Sequence, residues 1–146
     1  MARTSTYLNF MGKTEEAFLF YRSAFGTEFT SEIHRMGSVP PAPGMPALSE
    51  AEKKMVMHVE LPIVGGHVIM GTDALESMGH SLTFGNNVSI NLEPDTRAET
   101  ARLFEALGAG GKVTMPLTDM FWGAYFGTLV DRFGVSWMFN CMEPKK

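Results

Sequence analysis

A single cysteine, Cys141, stands among the 146 residues, so no intramolecular disulfide is possible and a reducing, cytoplasmic setting is expected. That lone thiol reads as a small buried apolar side chain. Long apolar runs are missing too: nothing approaches the roughly 20 residues a membrane-crossing helix needs. Met1-Ala2-Arg3-Thr4 leads straight into a strand-like segment without an apolar signal region, so no membrane partner is expected. Basic excess is also lacking. Twelve Lys and Arg against sixteen Asp and Glu leave a formal charge of −4, and no basic run exceeds the pairs Lys53-Lys54 and Lys145-Lys146. A nucleic-acid partner, which calls for a basic surface, is therefore set aside. The remainder, 45% hydrophobic and 19% charged, is ordinary globular composition, long enough to bury a core without staples.

What the chain does have is an internal echo. Leu8-Asn9-Phe10 is answered 82 positions later by Ile90-Asn91-Leu92, Thr14 by Thr96, Ala24 by Ala106, and Phe25-Gly26 by Leu107-Gly108. Each copy reads as strand, break, helix and glycine, which predicts two similar modules with a cleft between them as the working part.

In the first module, Tyr7 to Met11 suits a strand and Gly12-Lys13 breaks it. Thr14 is placed to cap a helix whose first turn holds Glu15 and Glu16, where carboxylates suit the helix dipole. Ala17, Phe18, Tyr21, Ala24 and Phe25 recur at helical spacing and form one apolar face, ended by Gly26. Phe29 to Met36 is expected as a second strand. Ser38 to Pro46 carries four of the eight prolines and reads as a loop, with a helical turn or two available to Leu48 to Lys54. Met55 to Ile63 and His67 to Thr72 read as a hairpin about a Gly65-Gly66 turn.

Asp73 to Gly85, polar and glycine-punctuated, is the expected connection. Asn86 to Glu93 then reads as a strand, Asp95 as a cap and Thr96 to Leu107 as a helix with Leu103, Phe104 and Leu107 inward. Lys112 to Leu117, Tyr125 to Val130 and Val135 to Cys141 supply three more strands. Both halves thus read β-α-β-β-β. The expected fold is α+β: a single 1–146 domain of paired modules, about 5–73 and 86–142 joined by 74–85. Two curved mixed sheets would enclose a central cleft, with helices on the convex faces.

This pattern, with Phe20-Tyr21 and Phe25-Gly26 on the first helix, resembles the vicinal oxygen chelate superfamily of glyoxalases, extradiol dioxygenases and bleomycin resistance proteins. Within it, several segments look like the PhnB-like branch: Tyr7-Leu8-Asn9-Phe10, Glu15-Glu16-Ala17-Phe18, His58-Val59-Glu60-Leu61, Gly85-Asn86-Asn87-Val88-Ser89 and Phe133-Gly134-Val135-Ser136-Trp137. The most specific are Gly111-Lys112 through Pro116-Leu117 and the Phe121-Trp122-Gly123 turn. Members are often labelled demethylubiquinone methyltransferase-like. The one glycine cluster, Gly108 to Lys112, gives that label little support, because it follows a helix whereas a nucleotide-cradling loop precedes one.

The resemblance implies a divalent metal held by His, Glu or Gln from the first and last strands of the modules, acting as a Lewis acid on vicinal oxygens. Anchored on the first helix, those positions fall on Thr6, Met70, Asn87 and Met138. A slip of one, which would flip each strand's face, gives Tyr7, Ile69 or Gly71, Val88, and Trp137 or Phe139. None is a His, Glu or Gln, so no metal and no cofactor are expected.

His34, His67 and His80 read as strand-end or loop residues. His58 and Glu60 share a strand face and have the chemistry for proton transfer. A two-residue turn at Gly65-Gly66, however, would set them on the face away from Met70, giving them a structural or surface role. They and Asp119 are the weak catalytic candidates.

For ligand binding, Asn87, Ser89 and Asn91 alternate with Val88, Ile90 and Leu92 and offer neutral donors and acceptors. The repeat places Asn9 with Asn91, although the helix anchor on Thr6 places it on the other face. Trp122 has a ring that could close over a ligand, and Met138 belongs to an adaptable lining with Met55, Met57, Met70, Met115 and Met120. The expected role is a metal-free, PhnB-like protein binding a small, partly apolar molecule, as a homodimer by resemblance. A lyase or dioxygenase-like enzyme with a non-standard metal set, and a sequestering drug-binding protein of the bleomycin-resistance type, are the alternatives.

Overall fold

A computed structural model describes residues 1–146, which divide into two compact units, Met1–Thr83 and Phe84–Lys146. In the first, β1 (Thr6–Phe10) is followed by α1 (Thr14–Phe25), β2 (His34–Arg35), the short helix α2 (Glu50–Lys53), β3 (Val56–Pro62) and β4 (Val68–Asp73). The second holds β5 (Ile90–Leu92), α3 (Arg97–Gly108), β6 (Lys112–Asp119), β7 (Tyr125–Val130) and β8 (Ser136–Cys141).

The sheet orders are β1-β4-β3-β2 and β5-β8-β7-β6. In each, the strand before the long helix lies parallel to the last strand, and the remaining pairs are antiparallel. The echo in the sequence is thus an echo in topology. Asn9 pairs with Thr72 on the last strand of its sheet, and Asn91 with Met138 on the last strand of its own.

In the first unit, Ala17, Phe18, Tyr21 and Ala24 of α1 are buried together with Phe10, Val59, Leu61 and Ile69 of the sheet. The helix lies so close that a β-carbon on Gly71 would stand 2.4 Å from the Phe18 ring. Only glycine fits there without the ring moving. The second unit repeats the device with other residues, since a β-carbon on Gly127 would lie 2.8 Å from the Phe104 ring of α3.

Two buried carboxylates lock the units in different ways. Asp73, 4% exposed, accepts from the Gly12 and Thr14 amides and the Thr14 hydroxyl on Oδ1, and from the Val56 amide on Oδ2. From the end of β4 it therefore ties the start of α1 to the start of β3, with its negative charge at the positive end of the helix dipole. Asp131 instead closes the β7–β8 turn, accepting from the Phe133 and Val135 amides and from the Trp137 indole N–H.

Several expectations need correction. The strand expected over Phe29–Met36 forms only at His34–Arg35, although the Thr30 amide still donates to the Glu60 carbonyl at 3.2 Å, and the one expected over Asn86–Glu93 forms only at Ile90–Leu92. Asn87 and Ser89 consequently lie before the strand, exposed, and do not alternate along it with Asn91. Thr14 is the first helical residue, not a cap, and its hydroxyl serves Asp73. Thr96, not Asp95, caps α3 by accepting from the Glu99 amide.

The β3–β4 turn is the correction that matters most. Glu60 pairs with Met70 and Leu61 with Ile69, while the Ile63 amide donates to the His67 carbonyl at 2.7 Å. Val64 thus joins Gly65 and Gly66 in a three-residue connection, and the register moves by one residue.

Candidate functional site

That register sets which side chains lie on the sheet face turned away from α1. Ile69, Gly71 and Asp73 of β4 face the helix, so Met70 and Thr72 face the other way, and pairing places Tyr7, Asn9 and Glu60 with them. His58, two residues before Glu60, shares this face, and His34 pairs with it across β2. The expected placement of His58 and Glu60 opposite Met70 is therefore reversed. Asn9 follows the repeat and not the helix anchor, while Thr6 takes the helix side, where its hydroxyl meets His67 Nε2 at 2.9 Å.

Three of these residues form a hydrogen-bonded chain. The Tyr7 hydroxyl lies 2.9 Å from His58 Nδ1, and His58 Nε2 lies 2.9 Å from Glu60 Oε2. An ionised carboxylate only accepts, so the Glu60 contact puts the imidazole proton on Nε2, and Nδ1 accepts from the tyrosine. Arg3 stands 3.8 Å from the other Glu60 oxygen.

Burial, and then the Glu60 charge, push the Tyr7 phenol above its ordinary value, so it rests neutral. Chemically the chain is a hydroxyl backed by an imidazole and a carboxylate, an arrangement that moves a proton away from the hydroxyl oxygen when a reaction demands it. Tyr7 escaped the sequence reading except as the neighbour reached by a one-residue slip. Its alternation with Asn9 was the available signal.

In the second unit, Asn91 and Met138 pair on the face turned away from α3, with Thr128 beside Met138 and Phe126 beside Asn140. Trp122 stacks edge-on against Phe126 at 5.8 Å and against Phe121 at 5.0 Å, and Phe121 is 96% exposed. Of the expected ligand-binding residues, this face brings together Asn91, Met138 and Trp122. Asn9 belongs to the first unit's face.

Asp119 is otherwise engaged: Arg97 holds it at 2.8 Å and Lys145 at 3.7 Å, and Arg97 also lies 4.0 Å over the Tyr125 ring. It belongs to the second unit, and His58 and Glu60 belong to the first. The glycine cluster closes α3. Gly110 adopts a left-handed φ of 75°, and a β-carbon on Gly111 would meet the Val130 carbonyl at 2.4 Å. These glycines turn the chain and allow close packing after a helix, and they do not cradle an anion at a helix start.

The fold family's divalent metal can be tested against the corrected register. The available positions on β1, β4, β5 and β8 carry Tyr7, Asn9, Met70, Thr72, Asn91, Met138 and Asn140: phenol, amides, thioethers and one hydroxyl. None of these is a carboxylate or an imidazole, so they do not fit the anionic and imidazole ligand set that the resemblance implies for a divalent metal. The one imidazole–carboxylate pair nearby is His58 and Glu60, bonded to each other, and no group of three or more His, Cys, Asp or Glu is placed to hold a metal ion.

Comparison with known proteins agrees with this architecture. Residues 2–139 match the family described as 3-demethylubiquinone-9 3-methyltransferase. Protein PA1353 of Pseudomonas aeruginosa is 37% identical, with 97% of this chain and 98% of that one covered at a TM-score of 0.80. A PhnB protein of Bacillus cereus, described under the same methyltransferase name, is 30% identical over 96% of this chain and 99% of its own, with a TM-score of 0.75. Protein YjdN of Escherichia coli K12 is 29% identical over 97% of this chain and 96% of its own. With two βαβββ units of identical strand order and a family match across nearly its whole length, the chain belongs to the PhnB-like family described as 3-demethylubiquinone-9 3-methyltransferase.

Proposed function

We propose that this protein binds a small, partly apolar molecule on the sheet faces turned away from its long helices, without a metal ion. The observation that carries the reading is the composition of those faces. Neutral hydrogen-bonding groups, Asn9, Thr72, Asn91 and Thr128, stand beside the thioethers of Met70 and Met138. Such a surface orients a polar group through the amides and accommodates an apolar body through the flexible methionines. A homodimer is part of the proposal, supported by the exposed Val113, Met115, Phe121 and Trp122 of the second unit. The lone buried thiol of Cys141 suits a reducing, cytoplasmic setting.

Metal analysis and a ligand thermal-shift screen test the reading together. A binder is stabilised as ligand occupancy rises, and Asn91→Ala or Met138→Ala is expected to diminish the shift. A stoichiometric divalent ion that survives dialysis would overturn metal independence. No stabilisation by any compound would remove the binding role.

The Tyr7–His58–Glu60 chain favours a second reading, an enzyme that transfers a proton. Wild type and His58→Ala would be compared in deuterated water with carbonyl compounds that bear an adjacent C–H. Exchange by wild type alone supports catalysis, and equal exchange removes it.

A further inference from the structure

A cavity of about 490 Å³ opens within the first unit, away from the groups described above. Its wall is the proline-rich segment 36–48, and its floor is Met57 of β3 with Leu75 and Met78 from the stretch after β4. Both ends of the arch are pinned. At the entry, the Met36 amide donates to the Met55 carbonyl at 2.9 Å, and Gly37 packs so tightly that a β-carbon there would lie 2.9 Å from Lys53 Cβ. At the exit, Ser49 and Glu52 form a capping box on α2, and the Ser77 hydroxyl donates to Glu52, tying that helix to the turn under the floor. Between the pins, Pro40, Pro41 and Pro46 fix their own φ, so the arch resists collapse into the space it spans.

We infer that this cavity is a second binding site, one for a neutral, apolar small molecule. Its volume lies within the range of small-molecule pockets, roughly 300–1,000 Å³. The chemistry of the lining sets the ligand class. Lys53 is the only lining side chain that can hydrogen-bond, and its ammonium is paired with Glu50 at 3.0 Å. A charged ligand would find no free opposite charge among the lining side chains, whereas an aromatic or branched hydrocarbon body needs none. Four thioethers, from Met36, Met45, Met57 and Met78, give the walls polarizable contacts that adjust to ring shape. Met45, half exposed in the free protein, is the natural cover for such a ligand.

The site differs in residues and in ligand class from the amide-bearing sheet faces, and the two stand or fall separately. The probe is N-phenyl-1-naphthylamine, a neutral fluorophore, added to the whole protein carrying 13C-methyl methionine. The expected result is saturable fluorescence enhancement with methyl shifts at Met36, Met45, Met57 and Met78, and none at Met70 or Met138. Ala47→Trp, at an exposed lining position, is expected to fill the space and abolish the saturable signal. Four outcomes would overturn the inference. They are shifts confined to Met70 and Met138, no saturable binding, unchanged binding by Ala47→Trp, or cavity-methyl shifts that follow protein concentration without probe, which would mark a second copy of the chain as the occupant.

Discussion

Replacing Asp73 is expected to unfold the first unit at markedly lower denaturant, and the size of the effect follows from its bonds. The carboxylate accepts four hydrogen bonds, from Gly12 N at 2.9 Å, Thr14 N at 3.1 Å, Thr14 Oγ1 at 2.7 Å and Val56 N at 2.9 Å. In Asp73→Ala the three amides lose their acceptor, and each unsatisfied buried donor costs about 1–3 kcal/mol. Water admitted to the gap recovers part of this, and burying the charge no longer has to be offset, so a net loss of about 3–5 kcal/mol is expected.

Asp73→Asn keeps the shape but turns one acceptor into a donor. With its oxygen left over Gly12 and Thr14, its NH2 confronts the Val56 amide, and about 2–3 kcal/mol is expected to be lost. Urea unfolding with an unchanged slope gives the ranking wild type, Asn, Ala, and amide exchange should quicken at Val56 and Thr14 in both variants. A loss below about 0.5 kcal/mol for Asp73→Ala, the range of an inconsequential surface change, would refute the reasoning.

Gly71→Ala should cost about 1–3 kcal/mol by overpacking against Phe18, with part of the loss recovered by adding Phe18→Leu. Equal stability to wild type would show that the ring has room to move. The Tyr7 phenol, raised by burial and by Glu60, contributes stability that is present below the ordinary phenol pKa and lost as pH rises through the folded value. The phenolate absorbance of wild type minus Tyr7→Phe should titrate above the ordinary value, and titration at or below it would contradict the burial argument. The Arg35 hydrogen bond outweighs partial burial and holds the Glu15 carboxyl below its usual value, so its contribution is present above the unfolded pKa and fades as pH falls through the folded one. Arg35→Ala should flatten that acid limb and cost at most about 1 kcal/mol at neutral pH, as the pair is partly exposed, and a steeper limb would argue against the pairing.

The sequence carried the module order, both long helices and the Asn9–Asn91 correspondence, because these rest on helical period and on the repeat. It did not carry the β3–β4 register. Gly65 and Gly66 both have positive φ, 67° and 79°, as a two-residue hairpin turn also requires, and nothing local marks Val64 as a third member. That one residue decided the face of His58 and Glu60, and with it the link to Tyr7. The overlong strands have a different cause. Phe29–Met36 and Asn86–Glu93 both have strand-like composition, but pairing depends on the partner as well as on the segment. β3 pairs with β2 only at His34 and Arg35, while β8 pairs with β5 only at Ile90–Leu92. Asn87 and Ser89 were thereby assigned an alternation that needs a ladder to exist.

The two carboxylate locks have a consequence for how such a chain can change. The two units share a strand order, yet one stitches a helix start with Asp73 and the other stitches a hairpin with Asp131 and an indole. Grafting one half in place of the other would preserve the strand order and still import the wrong stitch. The halves share a blueprint but not their spare parts, which leaves each free to drift under its own constraints.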